Sequence, residues 1–255
     1  MLYIVDAHTH AHFLPDRDLE LMYLAGVREL VICSFVPLAR RAETLMDHFE
    51  EMVYLHKQRL SEMGFAVHVF IGIHPRNIVG GWRRLIPVIE EFVSKGLVNG
   101  IGEVGLEIGD ATEVEVLREQ LRIAREYGLP VIIHTPRDNR VSIVKRIVEV
   151  VRETRIEPSR VVIDHVSDDI IDAVNAAGAV PGLSIKPGLL SPCDIAERLE
   201  RYENGVLNSD SIHINDTDPL AVPRTVAYLE RVLQGEHSVI ERLAYSNACE
   251  WLRGN

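Results

Sequence analysis

The sequence predicts a closed (β/α)8 TIM barrel, one domain over residues 1–255, and three observations carry that expectation. Eight short runs rich in β-branched and other apolar residues recur along the chain. The stretches between them hold apolar residues at helical period, and no linker or low-complexity tract divides them. Strands alternating with helical patterns read as βα units feeding a parallel sheet, and eight such units in about 250 residues is the size of a closed barrel. A doubly wound sheet normally uses fewer strands, and no glycine-rich dinucleotide fingerprint follows the first run.

In chain order the runs are Leu2–Val5, Leu30–Cys33, Ala66–Ile73, Leu97–Ile101, Pro130–Ile133, Val161–Ile163, Ala179–Ile185 and Val206–Leu207. The seventh is the weakest, because Pro181 removes a ladder donor. Among the helical stretches, Met46, Phe49, Val53, Leu60 and Met63 predict one long apolar face that ends at Gly64. Val114, Leu117, Leu121 and Ala124 repeat at three and four; Thr112 with Glu115 predicts a capping box, and Gly128 stops the run. Val141, Val144, Val148 and Val151 repeat the pattern in the next unit. Val226, Leu229 and Leu233 follow Pro223, which a first helical turn tolerates.

Bulk properties narrow the function classes. Apolar content of 47 % with 25 % charged residues is that of an ordinary globular protein. No apolar run is long enough to span a membrane, and the N-terminus lacks a basic region followed by an apolar one, so a cytoplasmic protein with no membrane partner is expected. Cys33, Cys193 and Cys249 are widely spaced with no Cys-x-x-Cys pair, which argues against a disulfide framework or a thiolate zinc site. A net charge of −11 argues against a large nucleic-acid footprint, since such footprints are usually basic.

The polar residues that end the runs carry the chemistry. The first run stops at Asp6-Ala7-His8-Thr9-His10. Side chains two apart in a strand share a face, so His8 and His10 project together with Asp6 behind them and His12 as a neighbour. His74, Glu103, His134, His165 and Asp210 each follow a later run, and functional groups of a barrel sit at the C-terminal ends of its strands. All of these are nitrogen or oxygen donors converging on one mouth. His68, inside its run, reads as barrel filling, and His74 could equally cap its strand. Such a donor set suits Zn, Mn, Fe, Ni or Co and is too nitrogen-rich for Ca; one or two divalent ions per chain are expected, with Mg also among the candidates. Glu103 could bridge two ions, His8, His10 and Asp210 completing one site and His134 with His165 the other. Paired ions stabilise both the attacking and the leaving oxygens of a displacement. Asp216 and Asp218 compete with Asp210 for the role after the eighth strand; Asp210 is favoured because it directly ends an apolar run. Arg76, Arg137, Arg140 and Lys186 follow strand ends too, predicting a positive collar, with His74, Arg137 and Lys186 as substrate contacts.

Together these motifs resemble a known group. Asp6-x-His8-x-His10, Gly72-Ile73-His74-Pro75, Gly102-Glu103-Val104-Gly105-Leu106, Pro130-Val-Ile-Ile-His134 and the isolated His165 follow the order found in TatD-type hydrolases of the amidohydrolase superfamily. The resemblance covers nearly the whole chain, and the five motifs are specific as a set although each alone is weak. It implies a metal-dependent barrel, often a deoxyribonuclease or other phosphodiesterase, with His8 and His10 on one metal, Glu103 bridging, and His134 with His165 on the second. The bacterial Glu-Thr-Asp-x-Pro after the last strand is replaced here by Asn208-Ser209-Asp210 and, further on, Asp216-Thr217-Asp218-Pro219, which resembles an archaeal-style branch. Ser246 to Leu252 resembles the closing helix of the family. The expected activity is phosphodiester hydrolysis by metal-activated hydroxide, DNA ends included, with Asp210 and Glu103 catalytic. Hydrolysis of a small amide, ester or lactone is the alternative, and an inactive metal-binding scaffold a third reading that the presence of both Glu103 and Asp210 opposes.

Overall fold

Eight parallel strands pair in sequence order, β1 (Ile4–Thr9), β2 (Val27–Cys33), β3 (Ala66–Ile71), β4 (Gly100–Gly105), β5 (Val131–His134), β6 (Val161–Ile163), β7 (Val180–Ser184) and β8 (Val206–Asn208). The structure is a computed structural model that describes residues 3–212 and 217–254, so Leu2 of the first expected run and the rival Asp216 lie outside the described residues. The last strand meets the first just beyond its end. Asp210 N–H donates to the His8 carbonyl at 3.0 Å and His10 N–H to that of Ser211 at 2.9 Å. Beneath them the Asp6 carboxylate accepts from the Ser209 N–H and Oγ at 3.0 and 2.6 Å. The ring is therefore a TIM barrel, and the turn that closes it is the turn that carries Asp210.

Period-two alternation sorts the strand residues. Leu30, Ile32, Val69, Ile71, Val131, Ile133, Val161 and Ile163 belong to the large cluster packed with the helices. Their neighbours Val31, Cys33, Phe70, Ile132 and Val162 form a second cluster with Val5, Val206 and Trp251, a layer drawn from nearly every strand across the barrel axis. Trp251 closes that layer from the last helix, its ring 5.4 Å from Phe70. Among the described residues no helix is long and apolar enough to cross a membrane.

Several helical details differ from expectation. The long face from Met46 to Met63 forms, but its helix passes from Ala42–Glu50 through a π-helical stretch, Glu51–His56, before Lys57–Glu62. The helix Ala111–Tyr127 is capped by Asp110, whose Oδ1 accepts the Glu113 N–H at 2.8 Å, not by Thr112; Gly128 ends it at φ 65° as expected. In Arg140–Thr154 the buried face is Ile143, Val144, Ile147, Val150 and Val151, and Val141 points outward. His68, two residues before Phe70 on the same face of β3, fills the N-terminal end of the barrel as expected, its Nε2 pairing there with Glu29 at 2.7 Å.

β6 and β7 approach closely where Gly182 faces Asp164. A methyl group added at Gly182 would stand 2.1 Å from Asp164 Oδ1 and 2.7 Å from its Cα. Gly182→Ala should therefore destabilise the barrel by about 1–3 kcal/mol through overpacking, read as a lower midpoint in chemical denaturation. An unchanged midpoint would show that β7 can slide away at no cost.

Candidate metal centre

The C-terminal mouth of the barrel is a cavity of about 570 Å3 lined by His10, His74, Glu103, His134, His165 and Asp210, with Arg76, Arg137, Arg140 and Lys186 around them. His8 lies beneath, fully buried. Seven donors expected from the sequence thus share one site, and the collar stands over it.

Glu103 is the hub. It lies inside β4, two residues before the strand ends at Gly105 and not after it as expected, with 3 % exposure, and its two oxygens face different histidines. Oε1 lies 3.0 Å from His134 Nδ1 and 3.2 Å from His165 Nε2. Oε2 lies 3.6 Å from His8 Nε2 and 3.7 Å from His10 Nε2. Asp210 Oδ1 adds to the second group, 3.4 Å from His10 Nε2 and 3.9 Å from His8 Nε2.

Each of these four imidazoles is anchored through its other nitrogen, which sets the tautomer and aims a lone pair inward. His8 Nδ1–H donates to Asp164 Oδ2 at 2.5 Å, and His10 Nδ1–H to the Cys33 carbonyl at 3.0 Å. His134 Nε2–H donates to Glu107 at 3.0 Å, and His165 Nδ1–H to Ser184 Oγ at 2.8 Å. Ser184 Oγ–H in turn donates to Asp164 Oδ1 at 3.0 Å, where Asn208 Nδ2 also donates at 2.8 Å. Glu107 is held from behind: the Glu113 carboxylate accepts the N–H groups of Glu107, Ile108 and Gly109 at 2.9, 2.9 and 2.7 Å.

The fifth histidine is wired the other way. His74 Nδ1 accepts the Arg76 N–H at 3.0 Å, so the neutral ring carries its proton on Nε2, which faces Glu103 Oε2 at 3.7 Å. Burial, only partly offset by Glu103, drives its pKa down to about 3 and keeps it neutral. His74 is a donor over the cluster, although His74, Glu103 and His134 bring ligand atoms within 4.8 Å of one another.

The residues present fit divalent ions. His8, His10 and Asp210 likewise offer ligand atoms within 4.8 Å of one another, and His8 Nε2 is buried with no hydrogen-bond partner among the described residues. Burial opposes the charged form of Glu103, yet His8, His74, His134 and His165 hold its pKa well below the usual carboxylate range. Burial also opposes charge on His134, but Glu103 and Glu107 raise its pKa. A pocket that draws protons onto imidazoles between carboxylates draws divalent cations by the same field.

Asp164 and Glu107 were not singled out in the sequence. Asp164 sits beside His165 but reads as the end of the β6 run, and Glu107 reads as loop. The collar is also partly spent: Arg76 pairs with Glu107 at 2.7 Å and Lys186 contacts Asp210. His12 is outside the cavity lining, with burial lowering its pKa well below the ordinary histidine value.

Asp218 lies in the turn before the helix Ala221–Val232, its carboxylate accepting the Leu220 N–H at 2.9 Å and pairing with Arg224 at 2.6 Å. Asp210→Asn should accordingly cost about 100- to 10,000-fold in hydrolytic turnover, the range for a positioned acid–base group. Asp218→Asn should cost little, and an inactive Asp218→Asn protein with an active Asp210→Asn one would assign the role to the wrong aspartate here.

Comparison with known proteins places the chain in a family. Residues 5–253 match the sequence model of the family described as TatD related DNase. An uncharacterized metal-dependent hydrolase of Methanocaldococcus jannaschii is 32 % identical over 247 residues, 96 % of this chain and 98 % of that one. The crystal structure of a TatD-like protein from Archaeoglobus fulgidus superposes with a TM-score of 0.82 at 29 % identity, covering 98 % of this chain and 99 % of the other. The Escherichia coli phosphotriesterase homology protein, at 14 % identity and a TM-score of 0.75 over 99 % of both chains, shares the fold. With its family matched from β1 to the last helix, the chain belongs to the TatD family and is a metal-dependent hydrolase.

Proposed function

We propose that this hydrolase cleaves phosphodiesters, and the observation that carries the reading is the state of Arg137. Of the collar, Arg76 and Lys186 are engaged by carboxylates. Arg140 donates to the Pro136 carbonyl at 2.9 Å and to Ser167 Oγ at 2.6 Å. Arg137, exposed on the cavity wall three residues beyond His134, makes no hydrogen bond or ion pair among the described residues. A guanidinium left free beside a cluster of histidines can take a phosphate bidentately. The family description names a DNase, and a DNA end is one substrate that presents such a group.

In this reading His8, His10 and Asp210 would hold one divalent ion and His134 with His165 a second, with Glu103 between the two groups. Divalent ions there supply charge neutralisation at phosphorus and make hydroxide available near neutral pH. Asp210 turns one oxygen toward His10 and the other toward Lys186. Burial opposes its ionisation, but the His10 hydrogen bond, His165 and Lys186 keep its pKa well below the ordinary aspartate value, so it is ionised and can orient a water by accepting its hydrogen bond. His74 offers its Nε2–H to a substrate oxygen. Phe35, Leu189 and Ile212 form an apolar part of the wall that suits the organic portion of an ester, and that wall is what favours the second reading, hydrolysis of a neutral ester or lactone.

The two readings part on Arg137. Arg137→Ala should lower kcat/KM for bis-p-nitrophenyl phosphate and for DNA ends 10- to 100-fold, about 1.4–2.8 kcal/mol of transition-state binding, and should barely change hydrolysis of a neutral aryl ester or lactone. Equal losses on both substrate classes, or none on the phosphodiesters, would favour the neutral substrate.

A further inference from the structure

We propose that Lys186 is a positioning residue for Asp210 and not a contact of the substrate. Its ammonium holds one carboxylate oxygen, so that only the other is turned to the histidines and to the water that Asp210 orients. This rests on the reading of Asp210 as the group that orients water, not on which ester is cleaved. Asp210 shows the two-sided contact required. Its Oδ1 lies 3.4 Å from His10 Nε2 and 3.9 Å from His8 Nε2, whereas its Oδ2 accepts from Lys186 Nζ. That ammonium has no second hydrogen-bond or ion-pair partner among the described residues.

The backbone builds this pair. β7 and β8 run in register through Ser184 and Asn208, and the Ile185 N–H continues the ladder to the Asn208 carbonyl at 3.0 Å. Lys186 and Asp210 each stand two residues past that last pair, so strand register places them side by side. The chain then turns back at once: the Leu189 N–H donates to the Lys186 carbonyl at 3.1 Å, and Ile185 bridges Leu190. Asp210 is fixed in turn by its N–H bond to the His8 carbonyl at 3.0 Å. The two side chains are only 14 % and 13 % exposed. With both backbones held, the freedom left to Asp210 is rotation of its carboxylate, a torsion with no sharp preference of its own, and a charge-assisted bond to one oxygen removes it. Charge points the same way. An ammonium beside a carboxylate opposes the binding of a divalent ion to that carboxylate, so ion affinity is not what Lys186 serves. A released carboxylate could take an ion with both oxygens and leave neither for water. Unlike Arg137, the Lys186 cation is already engaged and is not free to meet a phosphate.

The test compares Lys186→Met with the wild type on bis-p-nitrophenyl phosphate and on a neutral aryl ester, and measures the zinc affinity of both proteins by competition with a chelator. Lys186→Met should lower kcat about 10- to 100-fold, the range for a group that supports a metal ligand. The factor should be the same on each substrate that the wild type hydrolyses, with KM little changed and zinc bound at least as tightly. A loss confined to KM for the phosphodiester would make Lys186 a substrate contact, and loss of zinc together with turnover would make it a support of the local fold. Either result overturns the proposal, as does an unchanged kcat. A wild type that cleaves only the neutral ester would end the phosphodiester reading and leave this comparison standing. Should the variant fail to fold, or neither substrate be turned over, a crystal of the zinc-loaded wild type decides. Lys186 on one Asp210 oxygen and the ion on the other supports the proposal; both oxygens on the ion refute it.

Discussion

A carboxylate buried at the centre of a ring of imidazoles is the constraint that organises this protein. Glu103 is almost out of contact with water, and an ionised group there is tolerable only when surrounded by donors or cations. Its two oxygens are divided between two pairs of histidines. Those histidines are useful only with one nitrogen turned inward, so each must be tied at the other. The ties are Asp164, the Cys33 carbonyl, Glu107 and Ser184. Asp164 in turn requires Ser184, Asn208 and the missing side chain of Gly182. From one buried charge the requirements run outward through β5, β6, β7 and β8 into the packing of the barrel.

The backbone bears part of the same demand. His165 and Asp210 both adopt left-handed conformations, at φ 57° and 43°, where a residue with a Cβ costs of order 1–3 kcal/mol. Both are strand-end residues aimed into the cavity. Asp210 is held in place by its N–H bond to the His8 carbonyl, the same bond that helps close β8 against β1. Barrel closure and placement of the aspartate are therefore one structural event. A change that opened the seam would move Asp210 away from His8 and His10 before it unfolded the domain.

Much of this was legible in the residues. The apolar runs marked the strands because buried parallel strands are nearly continuous Val and Ile, except that the fourth, expected at Leu97–Ile101, lies at Gly100–Gly105, where glycines interrupt the apolar pattern; the donors were legible because a barrel gathers strand ends on one face. What stayed hidden depends on neighbours far apart in the chain. Asp164 and His8 are 156 positions apart, so nothing local distinguishes Asp164 from the end of a strand. Arg76 looked like a free cation because Glu107, 31 residues on, carries no local sign that it will neutralise it. Thr112 was a fair capping residue displaced by Asp110, two positions earlier, whose carboxylate reaches the same turn. The π-helical stretch at Glu51–His56 leaves the apolar spacing of the long helix close enough to α-helical period to be read as uninterrupted.

The central proposal is that Glu103, lying between two groups of histidines, would hold two divalent ions close together. Electron paramagnetic resonance of the protein loaded with Mn(II) measures this directly, because ions bridged by one carboxylate are magnetically coupled whereas isolated ions are not. The account predicts a coupled spectrum at two equivalents of Mn(II), lost in Glu103→Gln while the fold is retained. A spectrum of uncoupled Mn(II) at every loading, the same in wild type and Glu103→Gln, would contradict it.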